Sequence, residues 1–176
     1  MDVSELRKAI QKDKSLGYIP SGIIAVTGAT SSGSCDDIAQ VSEVAKEEGL
    51  YMHVDAAWAG SAMICSEYRN LWKGIDNADS IVFNPHKWLG AQFDCSVQFL
   101  KDKNIQKNTL SILPEYLKTK GVEGITNLSD YTIQLGRRFR ALKLWFLMRS
   151  EGLAGLRNMI RNHVDWTKEL LSLIHI

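Results

Sequence analysis

The sequence predicts an α/β fold with a mainly parallel sheet. Three short β-rich runs, at residues 23–27, 51–55 and 80–83, are separated by segments long enough for helical crossovers. The repeat of about 30 residues per strand and helix is the length of one βαβ step. The pattern therefore predicts parallel strands joined by helices.

The first crossover carries start and stop signals of a helix. Either Asp36 or Asp37 can cap its amino terminus. Ile38 and Val41 then begin a run of apolar residues at helical spacing, and Gly49 follows its last turn. We expect one helix between the first two strands.

The pattern changes after the third run. A fourth run, at 96–100, follows only a short connection, so we expect it to pair antiparallel. Residues 101–130 are polar and are predicted to form a long mobile loop, of a length that is usually functional or disordered. From Gly136 onward, apolar residues recur at helical spacing, which predicts two helices broken at Gly152.

Both ends of the chain look cut. Residues 1–20 are interpreted as a truncated N-terminal lead-in, because no α/β unit precedes the first strand. Residues 171–176 resemble the translation of a common sequencing adapter and are interpreted as a non-native tail. Residues 21–170 remain as the folded part.

Composition and charge exclude several classes of protein. A chain of 176 residues with 45% hydrophobic and 23% charged residues is typical of a globular protein. The net charge is +1, and the short basic run at 137–140 is interpreted as ion-pairing and subunit contacts rather than a nucleic-acid patch. Without a long apolar stretch or a signal peptide, we expect a cytoplasmic protein that contacts neither membrane nor nucleic acid.

Metal and disulfide sites are not indicated. The chain has three cysteines: Cys35, Cys65 and Cys95. They form no Cys-x-x-Cys pair, so we expect three reduced, packed thiols. His53, Asp55 and His86 can be drawn as a metal site, yet the side chain of His53 would point to the opposite sheet face from its neighbour. We predict no metal.

A carboxylate and a lysine follow adjacent predicted strands. Asp55 ends the second run, and Lys87 comes just after the third. Open α/β sheets bind ligands outside the carboxyl ends of their strands. Such a pair suits pyridoxal phosphate (PLP), because a lysine amine forms a Schiff base with its aldehyde and an acid keeps its pyridine nitrogen protonated. Ala56 and Ala57 are small enough to lie beneath a flat ring.

Three segments carry longer motifs. They are His-Val-Asp-Ala-Ala-Trp-Ala-Gly-Ser-Ala at 53–62, Asn-Pro-His-Lys-Trp at 84–88 and Gly-Arg-Arg-Phe-Arg-Ala-Leu-Lys-Leu-Trp-Phe at 136–146. The first two resemble the cofactor motifs of the PLP-dependent decarboxylases of aromatic and acidic amino acids, and the third is similar to a segment marked in the aromatic branch. The resemblance implies the aspartate aminotransferase-like PLP fold (fold type I), with residues 21–170 as the second half of its three-layer large domain.

The resemblance also implies roles for individual residues. Lys87 matches the Schiff-base lysine, Asp55 the partner of the pyridine nitrogen, and Ala57 a residue against the ring. Thr30 matches a threonine near the cofactor. Asn84 and His86 would lie near the cofactor phosphate and the lysine, with His86 also a candidate catalytic residue.

Tyr116 bears on the type of reaction. In the family, a tyrosine of a mobile loop enters the active site of the partner subunit and protonates the carbanion left after CO2 departs. The resemblance therefore implies decarboxylation rather than oxidative deamination, in a homodimer with the active site at the subunit interface. From the residues alone, a packing anchor is the better explanation of a tyrosine in such a loop.

The resulting hypothesis is a carboxy-lyase that converts an aromatic L-amino acid to the corresponding amine and CO2, as part of a longer enzyme. The alternatives are a decarboxylase of acidic or diamino acids, such as glutamate or diaminobutyrate, and a non-catalytic truncated dimerisation module. The family's phosphate-gripping loop and ring-stacking histidine are expected upstream. We therefore expect the 176-residue chain alone to bind PLP weakly and to decarboxylate poorly or not at all.

Overall fold

The computed structural model describes residues 1–111 and 126–174. Its helices are α1 (Val3–Ser15), α2 (Ile38–Glu48), α3 (Lys103–Leu110) and α4 (Arg140–Leu173), and its strands are β1 (Gly22–Val26), β2 (Tyr51–Asp55), β3 (Ser80–Phe83) and β4 (Val97–Leu100). Short 3₁₀ helices cover Ala59–Ile64, Ser66–Trp72, Ile75–Asn77 and Leu128–Tyr131. The chain divides into two compact units, Met1–Phe99 with Arg140–Ile176 and Leu100–Phe139.

The sheet confirms the predicted α/β class. Its strand order is β1-β2-β3-β4, and both the β1–β2 and the β2–β3 pairs are parallel. In this register Asp55 is the partner of Val26 on one side and of Val82 on the other. Strand β4 is the hydrogen-bonded neighbour of β3, and its antiparallel direction stays a prediction.

Helix α2 is the predicted first crossover. Of the two candidate caps, Asp37 is the one used, because its Oδ1 accepts a hydrogen bond from the amide of Gln40 at 3.0 Å. Asp36 instead accepts from the amide of Val26 at 2.8 Å and so fixes the end of β1. The helix ends at Gly49, whose φ of 67° is a left-handed conformation that glycine adopts without strain.

One face of the sheet is covered by helices. The apolar face of α2 is fully buried against alternate residues of β1 and β2, as the burial patterns of these elements show. Helix α1 adds Ile10 to the same core. On the opposite face Ile24 is 60% exposed. The sheet and the helices on this face are two layers, and they position the strand ends. The three-layer arrangement stays a prediction.

Helix α4 consists of two helical segments that meet at Gly152, as the sequence predicted. Gly152 has φ 64° and ψ 171°, a conformation outside the helical region. Beyond this break Leu156 and Ile160 are buried, and Arg157 donates a hydrogen bond to the carbonyl of Ile64 at 2.7 Å. The helix continues to Leu173, and the assignment of 171–176 as a non-native tail stays a prediction. Within 1–111 and 126–174, no helix is long and apolar enough to cross a membrane.

The second unit contains a helix where a loop was predicted. Helix α3 occupies residues 103–110, so the loop prediction for 101–130 was wrong there. Its start depends on a local cap, because Asp102 Oδ1 accepts from the amide of Asn104 at 2.8 Å. A helix without buried residues lacks the apolar periodicity by which helices are recognised. Tyr116 falls within 112–125, outside the described residues.

The cysteines differ in environment. Cys65 and Cys95 are buried, as expected, and burial raises the pKa of the Cys65 thiol. Cys35 is exposed, so the expectation of a packed thiol was wrong for it. It lies on the turn after β1, where an isolated bridge pairs it with Thr27.

Candidate active site

The carboxyl ends of β1, β2 and β3 lie side by side. The amide of Thr27 donates to the carbonyl of Asp55 at 2.9 Å, and the amide of Ala56 donates to the carbonyl of Val82 at 3.0 Å. These bonds continue the parallel ladder by one step past each strand. The segments that follow the three strands therefore start from one edge of the sheet, the usual location of ligand sites in open α/β folds.

Asp55 is the central acid of this edge. It is half-buried, and its Oδ1 accepts a hydrogen bond from the amide of Ala57 at 2.9 Å. The carbonyl of Ala57 in turn accepts from the amide of Asn84 at 2.8 Å. The side chain of Asn84 accepts from Ser96 Oγ at 2.6 Å. Three of the predicted site residues, Asp55, Ala57 and Asn84, thus belong to one hydrogen-bonded chain.

Lys87 lies on a turn just beyond β3. Its amide donates to the carbonyl of Asn84 at 2.9 Å, and its carbonyl accepts from the amide of Gly90 at 3.3 Å. The lysine is exposed and lines a pocket of about 210 Å³. The other residues that line this pocket are Ala29, Thr30, Gly33 and Trp58. The structure therefore brings the predicted residues Lys87 and Thr30 to one cavity.

The chemistry of these groups fits PLP. The pocket offers a primary amine from Lys87, a hydroxyl from Thr30, an exposed indole face from Trp58 and two small residues. A PLP molecule has an aldehyde that reacts with an amine, a flat ring and a phosphate that accepts hydrogen bonds. Asp55 supplies the carboxylate at the adjacent strand end.

His86 is held by the loop before β4. Its Nδ1 lies 2.6 Å from the carbonyl oxygen of Cys95 and 3.0 Å from the amide nitrogen of the same residue. The ring of Phe93 meets the imidazole edge-to-face at 4.8 Å between centroids. One ring nitrogen of His86 is thus engaged by backbone, and the orientation of the ring is fixed.

Gly28 allows the turn after β1 to approach the segment after β2. Its φ is 80°, and a Cβ placed there would lie 2.5 Å from the Cβ of Ala59 and 2.8 Å from the ring of Trp58. Only glycine tolerates this conformation and this contact together. Thr30 is exposed two residues further along the same turn.

A tryptophan pair beside Lys87 was missed by sequence reasoning. The rings of Trp58 and Trp88 stack with 4.8 Å between centroids and 10° between planes. The indole Nε1–H of Trp88 donates to Nδ1 of His163, on α4, at 3.0 Å. The only signal in the sequence for this pair was the tryptophan directly after the lysine. The contact between Trp88 and His163 could not be predicted, because no spacing in the sequence relates the two residues.

Ion pairing explains part of the basic run at 137–140. Two nitrogens of Arg140, Nε and one terminal NH2, lie 3.0 and 2.9 Å from Oδ2 of Asp94. This hydrogen bonding to Arg140 lowers the pKa of Asp94. The ion-pair interpretation is therefore confirmed for Arg140.

The metal alternative has no support in the described part of the chain. No group of three or more histidine, cysteine, aspartate or glutamate side chains is placed there to hold a metal ion. His53 Nδ1 lies 2.7 Å from Oγ of Ser80, its partner on β3. That histidine is accounted for by a cross-strand hydrogen bond.

A larger cavity of about 460 Å³ lies between β3, the 3₁₀ helix Ala59–Ile64 and α4. Its lining includes Met63, Phe83, Leu144 and Met148 and contains no titratable side chain. Acid–base or covalent chemistry needs such groups. The cavity is therefore not the candidate active site.

Comparisons with known proteins identify the family of the chain. The model of the family described as "Pyridoxal-dependent decarboxylase conserved domain" matches residues 1–175. Aromatic-L-amino-acid decarboxylase of Mus musculus is 43% identical over 99% of this chain and 37% of its own length. Phenylacetaldehyde synthase of Petunia hybrida is 41% identical over 99% of this chain and 35% of its own length. The crystal structure of Oryza sativa TDC with PLP and tryptamine superposes with a TM-score of 0.95 at 39% identity, covering 99% of this chain and 36% of that one. The chain thus spans little more than a third of the length of these relatives.

Proposed function

Because the chain belongs to the pyridoxal-dependent decarboxylase family, we propose that the polypeptide carrying it converts an aromatic L-amino acid to the corresponding amine and CO2. The observation that carries the proposal is the pocket lined by Lys87, Thr30 and Trp58. Asp55 ends β2, the strand next to β3, and Lys87 follows β3. The name of the mouse relative supports the aromatic branch. The resemblance of residues 136–146 to that branch supports it independently.

Lys87 is the residue that holds the cofactor. The residue lines the pocket and lies on a turn fixed by two backbone hydrogen bonds. The bound PLP would supply an electron sink for the pair left behind when the bond between Cα and the carboxylate breaks. Lys87 also orients the group, because covalent attachment at one end leaves the ring little freedom.

Asp55 keeps a proton on the pyridine nitrogen. The hydrogen bond from the amide of Ala57 holds its carboxyl group in one orientation at the sheet edge. A half-buried carboxylate interacts more strongly with a nearby cation than an exposed one does, since less water screens it. Ala57 would lie against the ring, where a larger side chain would displace the cofactor.

Thr30, Asn84 and His86 complete the binding site in this proposal. Thr30 offers its hydroxyl from the turn that Gly28 brings close, and it lines the same pocket as Lys87. Asn84 and His86 precede Lys87 on its turn and would lie near the phosphate of the bound cofactor and the lysine. The hydrogen bonds of Asn84 with Ser96 and of His86 with Cys95 reduce the motion of that turn.

Tyr116 is the proposed proton donor to Cα, acting in the active site of the partner subunit. It follows that the enzyme is a homodimer whose active sites lie at the subunit interface. The expected location is the cytoplasm. The support for the first two statements is the resemblance to the family.

The substrate class is tested with the complete polypeptide that carries this chain. Amine release is measured from tyrosine, 3,4-dihydroxyphenylalanine, tryptophan, glutamate and diaminobutyrate in the presence of PLP. The proposal expects kcat/KM to be highest for an aromatic substrate. Preference for glutamate or diaminobutyrate would contradict the aromatic assignment, and no amine from any of the five would favour a non-catalytic dimerisation module.

The type of reaction is tested separately with Tyr116→Phe. The substitution removes the hydroxyl that donates the proton, so amine production should fall and carbonyl products should rise. Tyr131→Phe is the matched control, since this half-buried tyrosine has no proposed role. An unchanged ratio of amine to carbonyl product in Tyr116→Phe would remove Tyr116 from the mechanism.

A further inference from the structure

Trp88, which directly follows Lys87, is fixed in two directions. One face of its half-buried indole stacks on Trp58 at 4.8 Å, and its Nε1–H donates to Nδ1 of His163 at 3.0 Å. A stacking contact alone leaves a ring free to slide or rotate in its plane. A directional hydrogen bond at the ring edge removes that freedom. The position of Trp88 therefore depends on His163.

The contact with Trp88 also defines which ring nitrogen of His163 carries the proton. An indole nitrogen can only donate, so Nδ1 of His163 must present its lone pair and the ring proton lies on Nε2. The imidazole is half-buried on α4 and also meets the ring of Trp166 at 5.5 Å between centroids. His163 is thus a fixed acceptor.

Trp58 connects the Trp88–His163 pair to the pocket. It lines the cavity together with Lys87, and its ring lies against Gly28, where an added Cβ would be 2.8 Å away. The sequence of contacts runs from the turn after β1, through Trp58 and Trp88, to His163. Lys87 directly precedes Trp88 on the same turn. The packing of the Trp88 indole on Trp58 and His163 therefore helps to set the backbone from which the lysine side chain extends.

We propose that His163 is a positioning residue for Lys87 and acts on it through the indole of Trp88. The proposal rests on the proposed function, since Lys87 matters as the residue that holds the cofactor. His163 itself touches neither cofactor nor substrate in this account. Its contribution is to hold the turn so that the lysine amine extends into the pocket at a constant angle.

Two substitutions of nearly equal size separate this role from simple packing. In His163→Asn, Oδ1 is the same number of bonds from Cβ as Nδ1 is in histidine, so an acceptor remains for the Trp88 indole. In His163→Leu the shape is similar and the acceptor is lost. Trp88→Phe provides a second route to the same loss, because it keeps an aromatic face for Trp58 and removes the donor.

The experiment uses the complete polypeptide and two measurements. The first is the far-ultraviolet circular dichroism couplet of the stacked indoles in cofactor-free protein. The second is kcat and KM for an aromatic amino acid at saturating PLP. We expect His163→Leu to weaken the couplet and to lower kcat by about 10-fold with little change in KM, since small misplacements of reacting groups cost rate rather than binding. His163→Asn should retain the couplet and stay within about 2-fold of wild-type kcat.

A double variant supplies the internal check. In the Trp88→Phe background, His163→Leu and His163→Asn should have equal kcat, because the hydrogen bond is already gone. The proposal is overturned if His163→Leu and His163→Asn, each in otherwise wild-type protein, have the same couplet and the same kcat. It is also overturned if His163→Leu loses the couplet while its kcat is unchanged. If His163→Leu does not fold, Trp88→Phe alone must show the fall in kcat or the proposal fails. A failure of the proposed function is distinguishable, because the wild type would then release no amine from the aromatic substrate, or borohydride would trap no cofactor on its Lys87.

Discussion

Asp55 shows how a single side chain gains a function from its position in the sheet. Its backbone is paired on both sides, with Val26 and Val82. Its carboxyl group is oriented by the amide two residues further along the chain. A pre-oriented carboxylate does not have to reorganise when a positive charge develops next to it, and this is the main advantage of protein groups over water.

This gives a prediction for Asp55→Asn. The amide oxygen can still accept the hydrogen bond from Ala57, so the local turn is kept while the negative charge is lost. We expect kcat of the complete enzyme to fall by about 10²–10³-fold, the usual loss for one charge-stabilising group, with cofactor still attached to Lys87. Steady-state amine release and borohydride trapping measure the two effects.

Asp76→Asn is the control for Asp55→Asn, because Asp76 is an exposed acid in the 3₁₀ helix Ile75–Asn77. Its kcat should be unchanged. A rate for Asp55→Asn within a few-fold of the wild type would show that the charge of Asp55 is not required.

At the residue scale, the sequence predicted the polar groups at strand ends and not the contacts between distant elements. Asp55 and Lys87 each follow a β-rich run, so their place at the sheet edge follows from the strand pattern. The contact between Trp88 and His163 joins residues far apart in the chain. Such a contact is decided by how α4 packs, and no local pattern encodes it.

At the scale of elements, capping residues and glycines predicted helix limits well where apolar periodicity supported them. Helix α2 begins after Asp37 and ends at Gly49, and α4 breaks at Gly152. Helices α1 and α3 have only one buried residue between them, Ile10. Helix α1 has Val3, Leu6 and Ile10 at helical spacing, a signal that the interpretation of residues 1–20 as a lead-in overlooked. Helix α3 has only two apolar residues, Ile105 and Leu110, which are too few for a periodic signal.

Gly152 gives a prediction about the stability of α4. At φ 64° and ψ 171° an L side chain is strained, although no atom lies within 4 Å of the position that a Cβ would take. Gly152→Ala should therefore lower the free energy of unfolding by about 1–3 kcal/mol through backbone strain alone. Urea denaturation with an unchanged m-value measures this loss.

Gly155 is the matched control, three residues further along the same helix. A Cβ there would meet only Glu151 at 3.5 Å, an ordinary contact, and its backbone is helical. Gly155→Ala should raise the free energy of unfolding by up to about 1 kcal/mol, since alanine is the better helix former. If both substitutions change stability in the same direction, the assignment of Gly152 as the break is wrong.

The ion pair between Glu67 and Arg161 gives a prediction about pH. It links the 3₁₀ helix Ser66–Trp72 to α4, with Arg161 Nε 2.5 Å from Oε1 of Glu67. The hydrogen bond from Arg161 lowers the pKa of Glu67 from 4.5 to about 2. Because the folded pKa is below the unfolded one, the stabilisation is fully present above pH 4.5 and is lost as the pH falls toward 2.

Glu67→Gln tests this window. The difference in free energy of unfolding between the wild type and Glu67→Gln should be constant above pH 4.5 and should shrink between pH 4.5 and pH 2. Arg161→Gln should show the same pH dependence relative to the wild type, because it breaks the same pair. A difference that does not change with pH across this range would contradict the lowered pKa.

At the scale of the whole molecule, the chain spans 37% of the length of its mouse relative. In its sheet Ile24 is 60% exposed on the face opposite to the one that packs against α2. The mainly parallel sheet could be predicted from the spacing of the β-rich runs, and the family from three short motifs, two of which lie at strand ends.

The attachment of PLP to Lys87 is tested most directly by borohydride reduction of the complete polypeptide loaded with PLP, followed by digestion and mass spectrometry. We expect the reduced cofactor on the peptide that contains Lys87, no covalent cofactor in Lys87→Ala, and an unchanged result in the control Lys73→Ala, an exposed lysine after the 3₁₀ helix Ser66–Trp72. Cofactor trapped on a different lysine, or retained in Lys87→Ala, would contradict the account.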